Sequence, residues 1–164
     1  LPHEVAAGLA TIDPVHADDY RTRAEVYAAR LHGLDQSIRE RIAAIPEGRR
    51  VLVTAHDAFR YFGRAYGIEV VGVQGTSTTA EAGLADVNRL VDMIVSRKIP
   101  AVFVETSVAD RNVQAVIEGA AAQGHTVRLG GRLYSDSLGD KQIGHETLEA
   151  ALMANVDTIV EALA

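Results

Sequence analysis

Four short apolar runs, each followed by a helical pattern, most constrain what this chain can fold into. The runs are rich in β-branched residues and read VLVTA (51–55), IEVVGV (68–73), PAVFVE (100–105) and HTVRL (125–129). Between and after them, apolar residues recur every three or four positions, as in amphipathic helices, near residues 58–66, 81–97, 110–123 and 145–163. Apolar strands that alternate with helices are typical of a parallel sheet buried on both sides. The sequence therefore predicts an α/β fold, with a parallel four-stranded sheet flanked by helices on both faces.

A long helical pattern precedes this α/β region. Residues 3–11 read as the end of a helix that the Asp13–Pro14 pair stops. A second helix is predicted from about residue 14 to residue 45, and a helix of that length often connects two lobes, although it can also lie across a sheet. We therefore divide the chain into 1–46, a helix end plus a long interlobe helix, and 47–164, an α/β lobe. Because the chain opens on LPHEVAAG, without an initiator Met or a signal peptide, we expect a fragment or a processed product.

The composition excludes several classes of function. Hydrophobic residues make up 48% and charged residues 23%, the balance of a globular protein with a sizeable core. A net charge of −6 gives no general attraction to nucleic acid, and 5% aromatic residues are too few for a base-stacking surface. Cysteine is absent, which excludes thiolate metal sites and a cysteine nucleophile. No apolar run has the length of a transmembrane segment. We therefore expect neither a nucleic-acid partner nor a membrane span.

Polar residues follow each predicted strand. In open parallel sheets, ligands bind at the carboxyl ends of the strands. The residues at those ends are His56, Gln74 to Thr79, Glu105 to Asp110, and the glycine-rich loop Gly130 to Asp140. This edge of the sheet is where we expect the functional site.

His56 and Asp136 are the leading candidates at this edge. Imidazole is a common metal ligand and a strand end holds it rigidly, but a partly buried histidine bonded to a neighbouring loop fits the position equally well. Asp136, in YSDSLG, has an ordinary interpretation as a turn acid that bonds its own backbone. A carboxylate and an imidazole at one edge of a sheet would, however, supply half of a metal site.

Two further acids stand near these candidates. Glu105, in FVETS, could orient a metal ligand from behind or cap the next helix, and the sequence leaves both roles open. Asp57 is interpreted mainly as an N-cap or first-turn acid of the helix after the first strand, and it is kept as a candidate behind the metal ligands. The remaining histidines show no HxH or HExxH spacing and are interpreted as surface or helix-terminus residues: His3, His16, His32, His125 and His145.

Four separated segments carry a resemblance to a known family: VLVTAHDAFRYFGRAYGIEVVGVQGTST, KIPAVFVETSVADRNV, GGRLYSDSLGD and ALMANVDTIVEALA. In order and spacing they resemble the C-terminal lobe of the TroA-like solute-binding proteins, the zinc, manganese and iron receptors of ABC importers. Cell-adhesion-type lipoproteins also belong to this class. The resemblance covers essentially the whole chain. It implies two α/β lobes joined by one long helix, with a single divalent cation in the cleft between them.

The same resemblance implies roles for individual residues. The histidine of AHDAF and the aspartate of SDS are ligands from the C-terminal lobe, and they match His56 and Asp136. Two more histidines would come from an N-terminal lobe, which we expect to be absent from this chain. The resulting nitrogen-rich site favours zinc, then manganese. The resemblance also implies that the protein is not an enzyme, that it is periplasmic or on the cell surface, and that it delivers its metal to a membrane permease.

Half of such a site has two expected consequences. Two ligands without the others should bind metal weakly, because coordination number and closure supply most of the affinity. The surface that a missing lobe would cover should expose apolar residues, so we also expect self-association of the fragment.

Two other classes of function are alternatives to this interpretation. A free-standing α/β metal-dependent hydrolase could use His56, Glu105 and Asp136 as a catalytic metal or acid–base site. A regulatory module of the receiver-domain kind needs several acids after the first strand, whereas here a single aspartate follows a histidine. The sequence contains no GxSxG nucleophile elbow, GxxxxGK[ST] phosphate loop or GxGxxG fingerprint that would point to another chemistry.

Overall fold

The computed structural model describes residues 1–73, 84–106 and 111–164. Its elements follow the predicted order, with ends shifted by a few residues. They are α1 Pro2–Ile12, α2 Ala17–Ala43, β1 Val51–Thr54, α3 Arg60–Tyr66, β2 Glu69–Gly72, α4 Leu84–Arg97, β3 Ala101–Glu105, α5 Arg111–Ala122, β4 Arg128–Leu133 and α6 Leu148–Leu163. The chain divides into two compact units, Leu1–Arg39 and Glu40–Ala164.

Asp13 marks the break between α1 and α2, as the Asp–Pro pair predicted. It is the C-cap residue of α1, and Pro14 after it begins a single 3₁₀ turn that leads into α2. Its carboxylate accepts a hydrogen bond from the Tyr20 hydroxyl at 2.8 Å and lies 2.8 Å from His16 Nδ1. These bonds, that of Tyr20 first, lower the pKa of Asp13 below its ordinary value. The carboxylate therefore ties the end of α1 to the first turns of α2.

The long helix expected from residue 14 to residue 45 is found as α2, which has 27 residues and a length of roughly 40 Å. Charged pairs one turn apart, such as Asp19–Arg23 and Asp35–Arg39, lie along its exposed surface. Although α2 is long, it is too polar to cross a bilayer, and none of the other helices in the described ranges has both the length and the apolar character to do so.

The strands pair in parallel, β1 with β2 and β3 with β4, and helices cover both sides of β3. Every residue of β3 is buried, although neighbouring side chains on a strand point to opposite faces. Val102 and Val104 lie in a core cluster with residues of α4 and α5. Phe103 points the other way, where its ring and Ala162 of α6 both approach the backbone of Gly130. These contacts confirm the predicted α/β layering.

The expectation of one continuous four-stranded sheet is wrong in detail. In the described chain, β1 and β3 are neighbours, but no ladder of hydrogen bonds joins them. The strands have only 4 and 5 residues, and parallel ladders are the less stable kind per residue. In addition, the N–H of His56, just after β1, donates to a side-chain oxygen of Glu105 at 3.0 Å. Side-chain packing and this bond therefore connect the two strands.

The last strand extends further than the sequence indicated. Residues 130–133 were expected to begin a loop, because they open with two glycines, yet β4 continues to Leu133. Val102 pairs with Leu129 and Phe103 with Gly131, so Gly130 is an extra residue in the register. A Cβ at Gly130 would lie 2.6 Å from the Phe103 ring. The glycine therefore permits close packing inside a strand, and the functional loop begins at Tyr134.

Candidate metal site

The ends of three strands bring His56, Glu105 and Asp136 together. His56 follows β1, Glu105 is the last residue of β3, and Asp136 lies in the loop after β4. The ring of His56 is buried between the two carboxylates. Its Nδ1 lies 2.8 Å from Oε2 of Glu105, and its Nε2 lies 3.9 Å from Oδ2 of Asp136. The sequence predicted that these three residues meet at the carboxyl ends of the parallel strands, and they do so even though the strands form two separate pairs.

The backbone of His56 is held at both of its polar groups. Its N–H donates to Oε1 of Glu105 at 3.0 Å, and its carbonyl accepts a hydrogen bond from the Thr54 hydroxyl at 2.7 Å. Sequence reasoning missed Thr54. The available signal was a hydroxyl residue at the end of a strand that is otherwise apolar. Because both bonds are buried, the backbone that carries the imidazole is held in a fixed position.

Glu105 is fully buried and contacts the imidazole directly. Although Nδ1 of His56 and Oε2 of Glu105 are 2.8 Å apart, neither atom has a hydrogen bond of regular geometry. The alignment of the contact is therefore poor while its distance is short. A carboxylate behind Nδ1 leaves Nε2 as the nitrogen available to a metal, an arrangement common around metal-binding histidines. The alternative role as a helix cap concerns residues 107–110, which lie outside the described residues.

The side chain of Asp136 is 59% exposed. Its hydrogen bond in the described chain is a long one from the Ser135 hydroxyl at 3.5 Å, and its carboxylate accepts none from the backbone there. The bonds to its own backbone that a turn acid would make are not found among the described residues, and Oδ2 of Asp136 lies on the side of Nε2 of His56. Two ligands of one tetrahedral zinc ion lie about 3.3 Å apart. The observed 3.9 Å differs from that by a small side-chain movement.

The site provides two donor groups for an ion, one from His56 and one from Asp136. Across the described ranges, no group of three or more His, Cys, Asp or Glu side chains is arranged to hold a metal. His56 Nε2 and the Asp136 carboxylate face one another, while Glu105 lies on the far side of the ring. The geometry fits half of a coordination shell, which is what the resemblance to a two-lobed family implied.

Asp57 does not cap the helix that follows it. α3 begins at Arg60, its N-cap residue is Phe59, and no side chain caps it. The carboxylate of Asp57 is instead buried against the guanidinium of Arg60, which donates from Nε at 3.0 Å and also from Nη2. These bonds raise the pKa of Arg60. The capping interpretation is wrong because the turn after His56 is longer than expected, which leaves Asp57 to pair with Arg60.

Gly72, at the end of β2, passes close to the backbone of His56. A Cβ at this position would lie 2.9 Å from the carbonyl carbon of His56 and 2.9 Å from the nitrogen of Asp57. Only a glycine lets these two backbone segments approach so closely. Sequence reasoning missed this residue, although a glycine within a strand is a known signal of close backbone approach.

Part of the predicted edge lies beyond the described ranges. The segment Gln74 to Thr79 lies outside the described residues, and so does the stretch from residue 107 to Asp110. The site as described therefore consists of contributions from the ends of β1, β3 and β4.

The fold and this strand-end arrangement define a class: α/β lobes that present a histidine and a carboxylate at the edge of parallel strands. The family profile described as "Zinc-uptake complex component A periplasmic" matches residues 2–162. The chain belongs to this ZnuA family of metal-binding proteins.

Individual relatives agree with this assignment. The chain is 49% identical over 160 residues to the manganese-binding lipoprotein MntA of Bacillus subtilis, covering 98% of the chain and 52% of MntA. It is 43% identical over 160 residues to the zinc-binding protein TroA of Treponema pallidum, again covering 98% of the chain and 52% of the relative. The solved structure of the periplasmic zinc-binding protein TroA superposes with a TM-score of 0.92 at 42% identity, covering 99% of this chain and 58% of that one. The chain thus spans about half the length of the curated relatives it matches.

The close approach at Gly72 can be tested by adding a single methyl group. We expect Gly72→Ala to lower the free energy of unfolding by about 1–3 kcal/mol, because backbone atoms of His56 and Asp57 must shift to admit the Cβ. Gly48→Ala is the matched control, since a Cβ there meets nothing within 4 Å, and its effect should be neutral or slightly stabilising. Urea unfolding of both variants measures the difference. Equal stabilities would contradict the packing described here.

Proposed function

We propose that this chain is the C-terminal lobe of an extracytoplasmic solute-binding protein, which captures a divalent metal ion and delivers it to the permease of an ABC importer. The observation that carries the proposal is the position of His56, with Nε2 facing the Asp136 carboxylate at 3.9 Å and Nδ1 against Glu105. Membership of a family described as a periplasmic zinc-uptake component supports it.

Within this proposal the chain has two parts. Residues 1–46 provide the end of a helix and the long helix that joins the lobes, and residues 47–164 form the C-terminal lobe. The N-terminal lobe belongs to sequence outside this chain. The finding that the chain spans about half of each matching relative supports this division.

The captured ion is the cargo, and each residue has a defined task toward it. His56 supplies a neutral nitrogen from Nε2, and Asp136 supplies an anionic oxygen. Glu105 keeps the ring oriented from behind, a role whose loss typically weakens metal binding about 10- to 100-fold. Asp57 has no direct task, because its carboxylate is engaged with Arg60.

Zinc is the favoured ion, followed by manganese. A histidine-containing site with one carboxylate suits zinc and also accepts manganese. The names of the relatives support both ions, since one is a manganese-binding lipoprotein and another a zinc-binding protein.

A binding role has more support than catalysis. The hydrolase alternative would use the same three residues, but the relatives that match are named for binding manganese, zinc or iron. We therefore propose a non-enzymatic function and a location in the periplasm or at the cell surface, as the family description and the lipoprotein relatives support.

The first test replaces the proposed nitrogen ligand. In this chain, His56→Ala should weaken zinc binding at least about tenfold, because one of two donors is lost. His32→Ala, which removes an exposed histidine of α2, should leave the zinc dissociation constant unchanged, and Asp57→Ala should have a smaller effect than His56→Ala. Isothermal titration with zinc chloride measures all four proteins. If His56→Ala binds zinc as tightly as the unaltered chain, the proposed function fails.

The second test concerns association of the chain with itself. Val5, Leu9 and Ile12 are exposed at spacings of four and three residues along α1, so they form an apolar stripe. We expect the chain to associate at high concentration, and Val5→Asp together with Ile12→Asp to reduce this association. Glu4→Gln on the same helix serves as the control. A strict monomer at millimolar concentration in sedimentation experiments would contradict the expectation.

A further inference from the structure

Buried polar residues are few in the described chain, and most of them belong to the candidate site. They are Thr54, His56, Glu105 and Asn155. Thr54 and Glu105 hold the backbone and the imidazole of His56 in place. Asn155, on α6, is the fourth, and no function discussed so far accounts for its burial. A buried amide is costly unless its donors and acceptors are paired, so its partners indicate its role.

Asn155 binds the peptide groups of a single loop residue from both sides. The N–H of Tyr134 donates to Oδ1 of Asn155 at 2.8 Å, and Nδ2 of Asn155 donates to the carbonyl of Tyr134 at 2.8 Å. Tyr134 is the first residue after β4 and stands two positions before Asp136. The amide therefore replaces the strand partner that Tyr134 would otherwise need, and it fixes the point where the loop leaves the sheet.

The same loop closes on itself beyond Asp136. The Tyr134 hydroxyl lies 3.1 Å from Nδ1 of His145, and the N–H of Gly139 donates to the carbonyl of His145 at 2.8 Å. A Cβ at Gly139 would lie 2.3 Å from the Cβ of His145 and 2.9 Å from the Tyr134 hydroxyl, so only glycine fits there. The loop is thus held at its first residue, near its middle and at His145.

We propose that Asn155 is a positioning residue for Asp136: by pairing with the peptide groups of Tyr134, it holds the loop so that the Asp136 carboxylate faces His56. This inference rests on the proposed function, since it assigns Asn155 a task toward the same ion. Asn155 itself does not touch the metal. It acts only through Asp136, and this restriction makes the inference testable.

The physical reason for such a device is the exposure of Asp136. Its side chain is 59% exposed, and its long contact with Ser135 does little to orient it. Metal ligands need to be held within about half an ångström of their productive positions. Because few contacts hold the carboxylate itself, its orientation must be set by the backbone that carries it. Asn155 anchors that backbone to α6.

The test is a double-mutant cycle on the whole chain, with zinc chloride as the probe. Asn155→Ala should weaken zinc binding roughly tenfold, in the range typical of residues that orient a ligand. Asp136→Ala should weaken it at least as much. In the Asp136→Ala background, Asn155→Ala should have no further effect, because its path to the metal has been removed. Isothermal titration gives the four dissociation constants.

Two further variants separate positioning from general stability. Val156→Ala, on the same helix and fully buried, should lower stability without changing the zinc dissociation constant. Tyr134→Phe removes only the hydroxyl that faces His145 and should weaken binding a few-fold, again only when Asp136 is present. If Asn155→Ala does not fold, Asn155→Ser, whose shorter side chain cannot bond both peptide groups of Tyr134, decides the question by the same cycle.

The outcomes are distinct. If His56→Ala and Asp136→Ala weaken zinc binding but Asn155→Ala does not, the inference about Asn155 is overturned and the proposed function stands. Additive effects of Asn155→Ala and Asp136→Ala, or an equal loss of affinity in Val156→Ala, would also overturn it. If neither His56→Ala nor Asp136→Ala changes the affinity, the proposed function fails, and the inference fails with it.

Discussion

The contact between Glu105 and His56 is the interaction on which the rest of the site depends. A carboxylate buried this completely loses its hydration, and that loss is large unless polar groups of the protein replace the water. Here the N–H of His56 binds one oxygen at 3.0 Å, and Nδ1 of the ring lies 2.8 Å from the other, close but without regular hydrogen-bond geometry. One side chain thus positions both the backbone and the ring of the histidine. It also connects β1 and β3, which no hydrogen-bonded ladder joins in the described structure.

The consequence for chemistry is a ring whose two nitrogens have different surroundings. Nδ1 faces a buried acid and Nε2 faces the exposed carboxylate of Asp136, so an ion can approach from one side only. In our proposal, two donors on this lobe require further ligands from outside the chain, since zinc in proteins is usually four-coordinate. The coverage of only about half of each relative agrees with a site that two lobes share. Affinity would then depend on closure of the lobes, which also offers a way to release the ion.

Much of this arrangement could be predicted from the sequence, because periodicity and topology are local properties. The apolar runs predicted the strands, and the rule that parallel strand ends share an edge placed His56, Glu105 and Asp136 together. What failed depended on where one element begins or on close packing between separate segments. The role of Asp57 changed because α3 begins at Arg60, and Gly130 lies inside β4 because the Phe103 ring packs against it. A glycine within a strand signals close backbone approach, but the partners of Gly72 and Asn155 could not be predicted, since each contacts a residue of another segment.

The most direct measurement of the central claim is zinc-edge anomalous diffraction from crystals of this chain soaked in zinc. The account predicts a peak about 2.0–2.1 Å from Nε2 of His56 and about 2.0–2.2 Å from a carboxylate oxygen of Asp136, with Glu105 still against Nδ1. A peak at Nδ1, or zinc bound only at other histidines while Nε2 of His56 has no metal neighbour, would contradict it.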